Sequence, residues 1–169
     1  MANMIPISTV TVGSGGSTTI GFTNIPQTYT DLVVLCSLRT TRNIGDAASV
    51  SITFNGSTSS RTSRIIYGNG SSTYSYTDTI IEGGFTGQNY ANTSNTFGSH
   101  QYYIPNYSGS NNKTISIDSV HENNATNAYA LMNAGLWSNT AAITSITLEN
   151  VGFNFVQYST ATLYGIRKY

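Results

Sequence analysis

Short runs in which every second residue is apolar, each bounded by glycine, asparagine or serine, recur along this chain and leave it few folds to choose from. Val50, Ile52 and Phe54 alternate with Ser51, Thr53 and Asn55, and Asn55-Gly56 follows, a dipeptide typical of tight hairpin turns. Ile115 and Ile117 alternate in the same way with Thr114, Ser116 and Asp118, and Ile20 with Phe22 after the turn-forming Gly13-Ser-Gly-Gly16. A period of two places one set of side chains in a core and the other in solvent, which is the signature of a half-buried strand. No stretch repeats with helical spacing.

Read this way, the runs fall at 5–12, 17–23, 31–40, 49–55, 61–67, 74–82, 97–104, 113–121, 127–137, 142–149 and 159–167. These runs are expected to merge into eight or nine strands. So many short strands with polar turns predict an all-β fold, an antiparallel β-sandwich formed by a single domain over residues 1–169. A jelly roll is favoured over an immunoglobulin-like sandwich, because the latter packs a cysteine pair around a buried tryptophan and this chain has one cysteine, Cys36, and one tryptophan, Trp137. Residues 82–96, rich in glycine, asparagine and threonine, read as a long exposed loop. Residues 1–4 read either as an extended arm reaching a neighbouring subunit or as a frayed end.

Three runs are apolar on both faces and so need cover on both. Leu32, Val34, Cys36 and Leu38 oppose Val33 and Leu35. Ala128, Ala130, Met132, Ala134 and Leu136 oppose Tyr129, Leu131 and Trp137, and in the last run Leu163 opposes Tyr164 and Ile166. The cover comes either from loops and strands of the same chain or from another subunit. Partner contacts are expected at Phe85 and Tyr90 in the long loop, at Tyr74, Tyr102 and Trp137 as aromatic platforms, and at Tyr164 and Ile166 in the closing run.

Charge narrows the function classes. Only 8% of residues are charged and seven acids balance seven bases, so the electrostatic footprint of a nucleic-acid binder is missing. A surface kept soluble by neutral polar groups repels other copies weakly, which favours self-association. No apolar stretch approaches the roughly 18 residues of a membrane span, and no basic leader precedes an apolar run, so synthesis in a host cytoplasm is expected. His100 and His121 lack a second ligand at metal spacing, and Asp118 and His121 point to opposite sides of their strand. With no nucleophile elbow and no paired carboxylates evident, neither catalysis, a cofactor nor a metal is expected.

The segments Ile25-Pro-Gln-Thr-Tyr-Thr-Asp-Leu32, Tyr67-Gly-Asn-Gly-Ser71, Gly135-Leu-Trp-Ser-Asn-Thr140, Ile143-Thr-Ser-Ile-Thr-Leu148 and Thr162-Leu-Tyr-Gly-Ile-Arg-Lys168 resemble, in this order, a group of small structural proteins of tailed bacteriophages. The resemblance implies a β-sandwich module of the virion, on the capsid surface or at a tail or fibre tip, and no catalytic residues. Together with the chain's small size, it leads to the expectation of a capsid decoration or cement protein. Such a protein would bind the major capsid protein as a homo-oligomer, expected as a trimer. The alternative is a tip module that binds host surface glycan through its tyrosines.

Overall fold

The computed structural model describes residues 3–42, 48–88, 93–122, 128–150 and 152–167. They form twelve strands: β1 (Asn3–Thr11), β2 (Thr19–Phe22), β3 (Asp31–Thr40), β4 (Ala48–Phe54), β5 (Arg61–Gly68), β6 (Thr73–Asp78), β7 (Ile81–Gln88), β8 (Gly98–Pro105), β9 (Lys113–His121), β10 (Tyr129–Trp137), β11 (Ile146–Glu149) and β12 (Thr160–Arg167). Among the described residues there is no helix, hence none long and apolar enough to cross a membrane.

The strands build two antiparallel sheets. The large one runs β1-β12-β3-β8-β9-β10-β5-β6 and the small one β2-β11-β4-β7. They join where the end of β3 pairs in parallel with β7 at Arg39↔Gly87 and Thr40↔Gln88. The alternation seen in sequence is the alternation of burial: β9 is buried at Lys113, Ile115, Ile117, Ser119 and His121 and exposed at every residue between them. Between the sheets, Ile20, Phe22, Val50, Ile52, Phe54, Ile146 and Leu148 of the small sheet share one core cluster with Leu32, Val34, Leu38, Ile65, Tyr102, Ile115, Ile117 and Leu163 of the large one. Each such fully buried aliphatic side chain contributes about 1.5–3 kcal/mol. The expected all-β sandwich is therefore present.

Four sequence expectations change. The eleven runs do not merge but become twelve strands. The added one is β7, which begins at the end of the 74–82 run and continues into the expected 82–96 loop. Opposite Val50, which lies between Ser49↔Phe85 and Ser51↔Glu82, β7 supplies two residues, Gly83 and Gly84. Gly84 takes a φ of 95°. This is a β-bulge, and its glycine pair erased the alternation that would have marked a strand. The 142–149 run shortens to Ile146–Glu149. Asn3 and Met4, placed in an arm from sequence, already belong to β1, where they pair with Arg167 and Ile166; Met1 and Ala2 lie outside the described residues.

Candidate interaction surface

Three features could meet a partner or do chemistry: the outer face of the large sheet, an aromatic cluster at one end of the sandwich, and a polar seam buried beneath β7.

The outer face is built by strict alternation. On β10 the inward residues Leu131, Asn133, Gly135 and Trp137 leave Ala130, Met132 and Ala134 exposed and Leu136 half-buried. Cross-strand register sets Met132 beside Ile66 of β5 and Asp118 of β9, Ala130 beside Gly68 and Val120, and Ala134 beside Arg64 and Ser116. Ile66 and Met132 are each 57% exposed and Val120 is 52% exposed. Among the described residues no second layer covers these strands on this side. Two shallow troughs of about 560 and 590 Å³ run along the face, the first floored by Ile66, Val120, Ala130 and Met132, the second by Thr62, Ser116, Ala134 and Leu136. Of the three runs that were apolar on both faces, β10 is thus the one left most open.

The other two are largely covered from within the sheet. Val33 on β3 lies between Tyr103 and Tyr164 across the strands and is 6% exposed, while Leu35 remains open at 37%. Tyr164 and Ile166 of β12 are half-buried beside Pro6 and Met4 of β1. Gly165, between them, faces inward, and a Cβ there would lie 2.3 Å from the ring of Tyr29. The close backbone approach that a glycine permits is made by this tyrosine of the same chain.

At the far end of β5 five aromatic rings meet. Tyr67 stacks on Tyr74 at 4.9 Å and meets Phe85 edge-on at 5.2 Å, Tyr76 at 6.1 Å and Tyr129 at 6.1 Å; Phe85 also meets Tyr129 at 5.2 Å. Phe85 and Tyr74, expected as separate contacts, are here brought together, with Tyr74 46% exposed. Tyr67 and Tyr129 were missed as members. Their signal was the cross-strand pairing Tyr67↔Tyr74, which needs the β5–β6 hairpin register before it can be seen. Tyr90 lies outside the described residues. Tyr102 and Trp137 are corrected outright. They are 1% and 2% exposed, Tyr102 donating to the Gly83 carbonyl at 2.8 Å and Trp137 packing on Phe54 at 5.8 Å, so neither can stack a sugar or a neighbouring subunit.

The seam beneath β7 centres on Glu82, 4% exposed. Its carboxylate accepts hydrogen bonds from Ser49 Oγ at 2.7 Å and from the Tyr76 hydroxyl at 2.5 Å, and its carbonyl accepts one from Asn133 Nδ2 at 2.6 Å. Burial and this bond to the carboxylate push the Tyr76 phenol well up. Farther along, His100 Nδ1 donates to the Gly83 carbonyl at 3.1 Å, and burial pushes the His100 imidazole down to about 4. His121 is also pushed down, by burial and by the charge of Arg39. His100 Nε2, Ser119 Oγ and both ring nitrogens of His121 are buried without a hydrogen-bond partner. Asp118, meanwhile, is exposed on the opposite face from His121. The arrangement holds the two imidazoles inside the core, with His100 2% and His121 1% exposed.

No group of three histidine, cysteine or acidic side chains that could hold a metal ion occurs among the described residues. No family model, curated protein or solved structure matches the chain.

Proposed function

We propose that this chain is a structural protein of a tailed-bacteriophage particle, a decoration or cement protein that sits on the outer shell of the capsid as a homo-oligomer and works by contact, without catalysis or cofactor. The observation that carries the reading is the open outer face, where Leu35, Ile66, Val120 and Met132 stand exposed on one side of one sheet. On this face Ile66, Met132 and Val120 cluster on neighbouring strands, with Leu35 set apart from them by Gln101 and Asp118, and an exposed apolar cluster marks a place where another protein surface belongs. Its partners are other copies of the chain and the major capsid protein. Many modest apolar contacts, repeated around the shell, resist outward pressure through multivalency.

The strand order supports the same reading. With β5, β6, β9 and β10 set aside, the order β1-β12-β3-β8 faces β2-β11-β4-β7, and the chain changes sheets at every step except from β4 to β7. That order fits the double-sheet wrapping of a jelly roll into which two hairpins have been inserted, an architecture common in viral shells. The resembling segments also fall on key positions, at the β5–β6 turn, the end of β10, the entry to β11 and along β12.

A second reading, host recognition through glycan, is favoured by one observation: Tyr74 presents a partly exposed ring backed by the stacked Tyr67. One measurement separates the two. Quantifying the protein in purified particles should find hundreds of copies; about a dozen or fewer would place it at the tail and favour glycan recognition. Absence from particles would overturn both.

A further inference from the structure

The exposed patch on β5, β9 and β10 is self-complementary. Its rows run from Thr62 to Gly68 on β5, from Ala130 to Leu136 on β10 and from Thr114 to Val120 on β9. Within those rows the outward charged side chains are Arg64 on β5 and Asp118 on β9, one on each side of β10 and one residue pair apart along it. Between them stand the apolar or small side chains of Ile66, Met132, Ala134 and Ser116. From this layout we infer that the patch binds a second copy of this chain face to face, about a two-fold axis parallel to β10.

The geometry follows from the symmetry. A two-fold along β10 lays β10 on β10 and sets β5 of each copy over β9 of the other with no shift along the strands, so Arg64 of one chain stands over Ser116 of its mate, one row from the mate's Asp118. Symmetry makes this contact twice. Facing sheets pack about 10 Å apart and neighbouring row pairs are about 7 Å apart, a span that an arginine and an aspartate side chain bridge together. A two-fold perpendicular to the strands would instead keep β5 over β5 and β9 over β9, leaving Arg64 two strands, about 10 Å, to the side of the mate's Asp118. The axis along β10 is thus the one that matches charge and buries Met132 at the centre.

Area supports a stable pair. With the flanking strands β8 and β6 added to the three of the patch, five strands at about 4.8 Å spacing and about eight residues of length give a sheet face of roughly 650 Å² per copy, of the order of the roughly 800 Å² that each partner of a standard interface buries. The inference rests on the homo-oligomer part of the proposed function and names its surface, and it puts a two-fold in place of the trimer expected from sequence.

The test uses the free protein, so its outcome is separable from whether the chain is found in particles. Sedimentation of the purified chain is compared with that of Arg64→Asp and Asp118→Arg. The unaltered chain should sediment as a dimer. Each reversal sets like charges against each other twice and should raise the dissociation constant more than about 100-fold. An equimolar mixture of the two variants, in which every facing pair is again opposite, should return to the strength of the unaltered protein. Thermal unfolding checks that each variant is folded; should one fail, Met132→Lys at the centre gives a second reading of the same contact. A chain that stays monomeric at high micromolar concentration, a threefold stoichiometry, or reversals that associate as tightly as the parent would overturn the inference.

Discussion

His100 shows what a buried side chain does to the whole chain's response to acid. Its imidazole is fully enclosed, with Nδ1 committed to the Gly83 carbonyl and Nε2 facing no partner. In the unfolded chain a histidine takes up a proton near pH 6.5; in the fold His100 does so only near 4. Between those values the unfolded state binds more protons, so stability is fully present above about pH 6.5 and drains away as pH falls toward 4. The size is about 3 kcal/mol for His100 alone, and His121 shifts in the same direction. Urea unfolding should therefore give a clearly lower midpoint at pH 4 than at pH 7, and His100→Gln should narrow that gap; equal gaps in both proteins would refute the assignment. Alternation also held information about Tyr102 and Trp137 that their chemistry obscured. Tyr102 shares its face with His100 and Ile104, and Trp137 shares its face with Leu131, all buried. A large aromatic on the core side of a strand is packing material, however well its ring would suit a ligand.

The bulged strand β7 is the element on which the two sheets depend, since it pairs with β4, touches β3 and lies across β9 and β10. Its bulge needs glycine at position 84 for two reasons. The φ there is 95°, and a Cβ would fall 2.1 Å from Ser119 Oγ. Gly84→Ala should lower stability by more than about 2 kcal/mol, with Ser119→Gly in the same chain restoring part of the loss by removing the clash but not the backbone strain. Thermal unfolding of the three proteins reads this directly, and an unchanged Gly84→Ala melt would contradict it. The same bulge explains why β7 was not legible beforehand. Strands such as β5, β8 and β9 alternate cleanly because each has one wet face, and their limits lie within a residue or two of the sequence reading. In β7, Ile81, Glu82, Gly83 and Gly84 are all buried, one face against the large sheet and the other within the seam, so no polar–apolar rhythm survives. The exposed patch was half legible: the two-sided character of β10 could be read, but which side lay open could not, because that depends on which strands the fold places opposite.

For the molecule as a whole, the patch and the aromatic cluster both lie on or around strands inserted into an eight-strand frame, β5–β6 between β4 and β7 and β9–β10 between β8 and β11. β5, β9 and β10 widen one sheet and serve both sides of it: Ile65, Ile115, Ile117, Leu131 and Trp137 point into the core, while Ile66, Val120 and Met132 stand exposed. Contact and stability are thereby divided between the two faces of the same strands, so substitutions at Met132 or Ile66 should alter association while leaving the melting temperature of the dissociated chain, at high dilution, nearly unchanged. The pairing of β1 with β12 has its own consequence. Asn3 sits directly opposite Arg167, so the first and last described residues are neighbours about 5 Å apart. A short glycine-serine bridge could join them without disturbing either strand, and the turn at Asn69–Ser72, held by the Asn69 side chain, is an exposed place to open the chain instead. Such a circular permutant should keep the parent's melting behaviour. A sequence joined at Asn3 or Arg167 would thus start from the β1–β12 edge of the large sheet, at the opposite edge from β5 and β6, so a fusion partner there need not cross the exposed patch.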